Sequence, residues 1–134
     1  MRALIWHNRR CSTSRNALAL LRHARIEPEV VEYLKQPPTR AQLQAMIAAA
    51  GIGVRAALRH KEAAFVERGL DDPALDDAAL LDAMLAEPAL IERPFVRTGL
   101  GSRLGRPLEA LLEILPPLDR PFVKENGQVL APPR

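Results

Sequence analysis

The first apolar run of the chain, Ala3-Leu4-Ile5-Trp6, is short and ended by polar residues, the pattern of a buried strand. Beyond the loop 7–11 the period changes. Ser12, Thr13 and Ser14 are all N-cap types, and Ala17, Leu18, Leu20 and Leu21 follow at helical spacing, which predicts a helix reaching about Ala24. Val30, Val31 and Tyr33 form a second β-rich run, stopped by Pro37-Pro38. Thr39 is placed to cap another helix with Leu43, Met46, Ile47 and Ala50 on one face and Gly51 as its stop. Asp76 opens a further helix whose buried face is Leu80, Leu81, Met84 and Leu85, with Pro88 closing it; short helices fill 55–70.

After Arg93-Pro94 the pattern returns to β. Phe95-Val96 reads as a strand, 99–101 as a turn, and Leu104 as part of a short partner strand. Pro107 suits the first turn of a last helix, with Leu108, Leu111, Leu112 and Leu115 as its apolar stripe. The remaining residues, about 118–134, contain Asn126-Gly127 as a turn signal and are expected to be a surface tail, with a hairpin as one form of it. The order βαβ, helices, β-turn-β, helix predicts an α/β fold: a thioredoxin-like mixed sheet flanked by helices, with a helical insertion between the βαβ and ββα halves. A plain open α/β sheet of different strand order is the alternative. Both put the loop after the first strand at the strand's carboxyl end, where open α/β sheets bind ligands.

The 134 residues fit a single domain, 1–134, with no internal repeat or linker. Apolar residues at 48% and charged residues at 26% are ordinary globular composition, and no stretch approaches a membrane span or a secretory signal. The cytoplasm is the expected compartment, and a monomer the expected state. Net charge is +3, and arginine outnumbers lysine heavily: only Lys35, Lys61 and Lys124 are lysines. Arginine's planar fork suits oxyanions and carboxylates. Nucleic acid is disfavoured, because aromatic residues make up 4% and no basic run exceeds Arg9-Arg10.

The chain has one cysteine, which excludes an internal disulfide. Cys11 stands directly before a predicted helix N-terminus, where unpaired N–H groups and the helix dipole favour thiolate over thiol. His7, Arg10 and Arg15 are neighbouring cations or potential cations, and the hydroxyls of Thr13 and Ser14 are candidate donors to the sulfur. The same loop is an anion cradle. A Cys-x5-Arg phosphatase loop is disfavoured, since the position required for its arginine holds Ala17.

The stretch Trp6-His7-Asn8-Arg9-Arg10-Cys11-Ser12-Thr13-Ser14-Arg15-Asn16 resembles the signature of the glutaredoxin- and glutathione-coupled arsenate reductases, a thioredoxin-fold family of the ArsC type. Similarity continues at Glu27-Pro28, Tyr33-Leu34, Pro37-Pro38-Thr39-Arg40, Gly51-Ile52 to Arg59, Glu67 to Leu70, Ile91-Glu92-Arg93-Pro94 and Gly101 to Pro107. By position the resemblance implies Cys11 as nucleophile and Arg59, Arg93 and Arg106 as ligands of the arsenic oxyanion. It implies supporting roles for His7, Asn8, Thr13, Ser14 and Pro94, with His7 acting on the cysteine's pKa and Arg93-Pro94 at the cis-proline position.

The implied reaction takes arsenate to arsenite through a cysteine thioarsenate, with glutathione as co-substrate, glutaredoxin as partner, and no bound cofactor or metal. Two departures stand out. Arg9 replaces a proline common in the family, and Gly105 lies where some relatives carry a second cysteine, so reduction must come from external thiols. Other functions on this scaffold are a glutathione-dependent thiol reductase, or a non-enzymatic redox regulator binding RNA polymerase. The latter usually has Cys-x-x-Cys, and the third residue after Cys11 is Ser14.

Overall fold

A computed structural model describes residues 1–130. The chain divides into two units, Tyr33–Glu92 and the segments on either side of it. The flanking segments carry a four-stranded mixed sheet of order β2-β1-β3-β4, with β1 at Ala3–His7, β2 at Glu29–Glu32, β3 at Phe95–Thr98 and β4 at Gly101–Leu104. β1 runs parallel to β2, with Ile5 opposite Val30, and the crossover between them is helix α1, Ser12–His23. β3 runs antiparallel to β1 and to β4, with Trp6 opposite Phe95 and Phe95 opposite Leu104. This is the thioredoxin-like arrangement. The second strand ends at Glu32, one residue short of Tyr33, which instead lies buried at the start of the other unit with its hydroxyl 3.5 Å from the Ile91 carbonyl.

α1 buries Ala17, Leu20 and Leu21 against Ile5 and Val96 of the sheet, the face that the apolar spacing required. Arg22 and His23 occupy its last turn, where positive charge meets the carbonyl end of the helix dipole. The helix closes in a Schellman turn: Ile26 N–H donates to Leu21 O and Arg25 N–H to Arg22 O, each at 2.9 Å. Arg25 fills the left-handed position usually given to glycine, with φ of 64°.

The last helix departs from expectation. Residues Leu108–Ile114 form a 3₁₀ helix, so the buried stripe runs at intervals of three, through Leu108, Leu111 and Ile114, and Leu112 is only half-buried. Thr98 Oγ1 donates to Ile114 O at 2.6 Å and ties this turn to β3. The final segment takes the hairpin form, but it packs into the core and is not a surface tail. Phe122–Val123 (β5) and Val129–Leu130 (β6) pair as a hairpin, and Leu118, Phe122 and Leu130 join the core cluster. Phe122 packs edge-on against His23 at 5.3 Å. The last four residues of that segment, 131–134, lie outside the described residues.

The unit Tyr33–Glu92 is helical. α2, Arg40–Ala49, begins with a full capping box, Thr39 accepting from Gln42 N–H while the Gln42 side chain accepts from Thr39 N–H, and stops at Gly51 with φ of 71°. α3 spans Ala63–Glu67, and α4, Asp77–Ala86, is capped by Asp76 and buries Leu80, Leu81, Ala83 and Met84. Leu85, expected on that face, is half-buried. Leu58 and Ile91 form an isolated antiparallel bridge. Among the described residues, no helix is long and apolar enough to cross a membrane.

Candidate active site

The carboxyl end of β1 delivers His7 and Asn8 into a tight turn. Asn8 O accepts from Cys11 N–H and Asn8 Oδ1 from Arg10 N–H, both at 3.0 Å, an Asx-type turn that leads straight into α1. Cys11 is itself the N-cap, with extended backbone angles and no side-chain cap bond. Its sulfur therefore stands before the first turn of N–H groups.

Register explains the next two groups. Phe95 pairs with Leu104, and one step further out Gly105 N–H donates to Pro94 O at 2.8 Å. A second step puts Arg93 opposite Arg106, and Arg106 Nε donates to Arg93 O at 2.7 Å. Arg106 Nη2 then reaches Cys11 Sγ at 3.3 Å. Burial pushes the Cys11 thiol pKa up, but the Ser14 N–H, the Arg93 guanidinium, the charge of Arg106 and the Thr13 N–H together outweigh it. The net shift is downward, toward thiolate. The Arg93-Pro94 bond is cis, at the position the resemblance implied, and so is Arg106-Pro107.

Ser14 plays a different part from the one expected. Its hydroxyl accepts from Asn8 N–H at 3.0 Å and bonds His7 Nδ1 at 2.7 Å, while it is the Ser14 backbone N–H that faces the sulfur. Thr13 likewise acts through its N–H. His7 is 6% exposed, and its pKa lies below the ordinary histidine value, first because of burial and then because of Arg22 and Arg15, with Glu32 opposing. His7 thus supports the Ser14 hydroxyl, and burial disfavours its charged form.

This depressed pKa gives a sign for stability. The unfolded chain takes up a proton on His7 near pH 6.5 and the folded chain resists it, so protonation favours unfolding. Stability from this group is complete above about pH 6.5 and declines as pH falls through the lower folded value. Melting curves between about pH 8 and 5 should show His7→Asn with a shallower acid-side decline than the wild type. An identical slope would place the proton uptake elsewhere.

Arg15, Arg9 and Arg59 make ion pairs of their own. Arg15 makes a two-pronged bond to Glu125, at 2.9 and 3.1 Å, and its third nitrogen donates to Arg9 O at 2.9 Å. Asn16 Oδ1 accepts from Glu125 N–H at 3.0 Å. The C-terminal hairpin therefore clamps the cysteine loop. Nothing in the local sequence pairs residues so far apart; the sole cue was the arginine at the loop. Arg9 directs its charge toward Glu32, at 3.8 Å. Arg59 belongs to the helical unit, where Arg59 N–H donates to Leu90 O beside the Leu58–Ile91 bridge. Its guanidinium donates to Glu92 at 3.2 Å and lies 3.8 Å from Glu62.

A sheet of order β2-β1-β3-β4, with a cysteine capping the helix after the first strand and a cis-proline opening the third, defines a thiol protein of the thioredoxin-like class. A model of the ArsC family matches residues 6–114, and the chain belongs to that family. It is 57% identical over 131 residues to an arsenate reductase of Rhizobium meliloti (strain 1021), a match covering 97% of this chain and 94% of the relative. An arsenate reductase of Escherichia coli (strain K12) is 47% identical over 125 residues, covering 92% and 89%. Among solved structures, an arsenate reductase from Vibrio cholerae superposes with a TM-score of 0.82 at 44% identity, covering 86% of this chain and 98% of the other.

Proposed function

We propose that this chain reduces arsenate to arsenite through an arsenic–sulfur bond at Cys11, with glutathione and glutaredoxin as electron donors in a reducing cytoplasm. The observation that carries the reading is the pair of guanidinium groups, Arg93 and Arg106, against a sulfur held below its ordinary pKa. An anionic nucleophile and an anionic oxyanion repel one another, and forked cations beside both remove that barrier.

The Cys11 thiolate attacks arsenic and one hydroxyl leaves as water, forming a thioarsenate. Glutathione then bonds to arsenic through its sulfur and a second hydroxyl leaves as water. A glutaredoxin thiolate attacks the glutathione sulfur, making a mixed disulfide. The electron pair of the broken sulfur–arsenic bond stays on arsenic, which passes from As(V) to As(III). One water then hydrolyses the Cys11–As(III) bond, returning the thiol and releasing arsenite. The balance is one arsenate and two thiols to arsenite, one disulfide and one net water. Splitting the reduction this way is covalent catalysis, and a chain with one cysteine needs both reducing thiols from outside.

The test is arsenite production by the purified protein from arsenate, glutathione and glutaredoxin. Arsenite should accumulate in proportion to enzyme, with one disulfide per arsenite. Turnover of a glutathionylated substrate together with no arsenite would overturn the assignment in favour of a thiol reductase.

A further inference from the structure

Next to Cys11 the sheet-bearing unit holds a separate concavity of about 280 Å³, close to the lower end of small-molecule sites. It is walled by Thr13 and Asn16 of α1, by Arg106 and Glu109, and by Lys124 and Asn126 of the hairpin. Two of these residues also face the nucleophile, Arg106 through Nη2 and Thr13 through its N–H. The groove and the surroundings of the Cys11 sulfur thus share Arg106 and Thr13.

The wall chemistry is that of an amino-acid recognition site. Lys124 has a side chain only 15% exposed, rare for a lysine, and its ammonium donates to Glu109 at 3.2 Å. Asn16 and Asn126 each spend their amide oxygen on a backbone N–H, of Glu125 and Gln128 respectively, which leaves both NH₂ groups as donors. The two amide groups are open donors for a carboxylate, and the Lys124–Glu109 pair offers both charges to a zwitterion that exchanges with it. The wall is also held firmly: Lys124 N–H donates to Gln128 O at 2.8 Å, and Glu125 locks the hairpin to Arg15 and Asn16.

We infer that this groove seats the carboxylate-bearing end of a small peptide thiol, placing its sulfur at the Cys11 intermediate. The inference rests on the reading of Cys11 as a nucleophile reduced by external thiols. Bonding of the thiol to arsenic expels a hydroxyl as water and changes no oxidation state; the electrons move when the second thiol attacks.

Lys124→Met is expected to raise the KM for glutathione about tenfold, the loss of one charge-assisted contact. The KM for arsenate should hold, and the effect should be far smaller with 2-mercaptoethanol, which has no carboxylate. Lys124→Arg should recover most of the loss. Equal effects on both thiols would mean that Lys124 merely braces the hairpin, and no rise in KM would mean that it touches no thiol; either overturns the inference. S-methylglutathione, which binds without reacting, gives an independent readout by amide NMR shifts on the wild-type protein. Shifts centred on Thr13, Asn16, Lys124 and Asn126, lost in Lys124→Met, support the groove even if no arsenite is formed, an outcome that would sink the arsenate reading alone. Arsenite formation with shifts absent from these residues sinks the groove alone.

Discussion

Cys11→Ser should lower arsenite formation by at least about a thousandfold while leaving the fold close to its wild-type stability near neutral pH. The loss follows from chemistry. The N–H groups of Ser14 and Thr13 and the guanidinium groups of Arg93 and Arg106 lower the pKa of a thiol, but a serine hydroxyl starts far too basic for the same environment to ionise it. The preserved stability follows from position. Cys11 is the N-cap of α1, and serine is a preferred N-cap whose oxygen accepts from the same first-turn N–H groups that face the sulfur. Arsenite assays paired with thermal melts separate the two effects. Residual turnover near the wild-type level would remove Cys11 from the chemistry, and a large drop in melting temperature would mean that the lost activity reports unfolding.

Arg106→Ala has the second-largest expected effect, and it acts at two levels. It deletes the cation 3.3 Å from the sulfur, so the pH midpoint of Cys11 alkylation by iodoacetamide should rise toward that of a free thiol. It also deletes a fork available to the oxyanion, and kcat/KM for arsenate should fall by about 10² to 10³. Arg106→Lys should restore much of the alkylation midpoint, which needs only charge, and little of kcat/KM, which needs the planar fork. A normal midpoint in Arg106→Ala would show that Arg93 and the helix N–H groups suffice.

The same substitution alters stability with a definite sign. A thiol whose folded pKa is lowered stabilises the folded state fully above the ordinary thiol value, about 8.5, and the contribution disappears as pH falls through the folded value. Arg106→Ala should therefore flatten the alkaline side of the stability profile.

Short-range signals in the chain were enough for much of this. Thr39 with Gln42, Asp76, and Gly51 set helix ends because a cap or a left-handed glycine involves residues within a few positions of each other. The polar loop between Ile5-Trp6 and the Ala17-Leu20-Leu21 face likewise put Cys11 at a helix start. The family motifs added the arginines.

Other features depended on competition between distant partners, which no local pattern encodes. The β3–β4 register brings Arg93 opposite Arg106 two places beyond Phe95 and Leu104; a shift by one residue would send every side chain to the other face. Ser14 had two uses for its hydroxyl, and the buried His7 ring and the Asn8 N–H took it, leaving the sulfur to backbone donors. Leu108–Ile114 tightened to a 3₁₀ helix, a choice that rests on which of Leu112 and Ile114 fits the core. The final segment, polar enough to read as a tail, was drawn in because Phe122 and Leu130 had a core to enter and Glu125 had Arg15 to hold. The primary structure thus specified that the cysteine stands at the start of the first helix. Only tertiary packing, by deciding which distant groups meet, surrounded it with two arginines and a clamped hairpin.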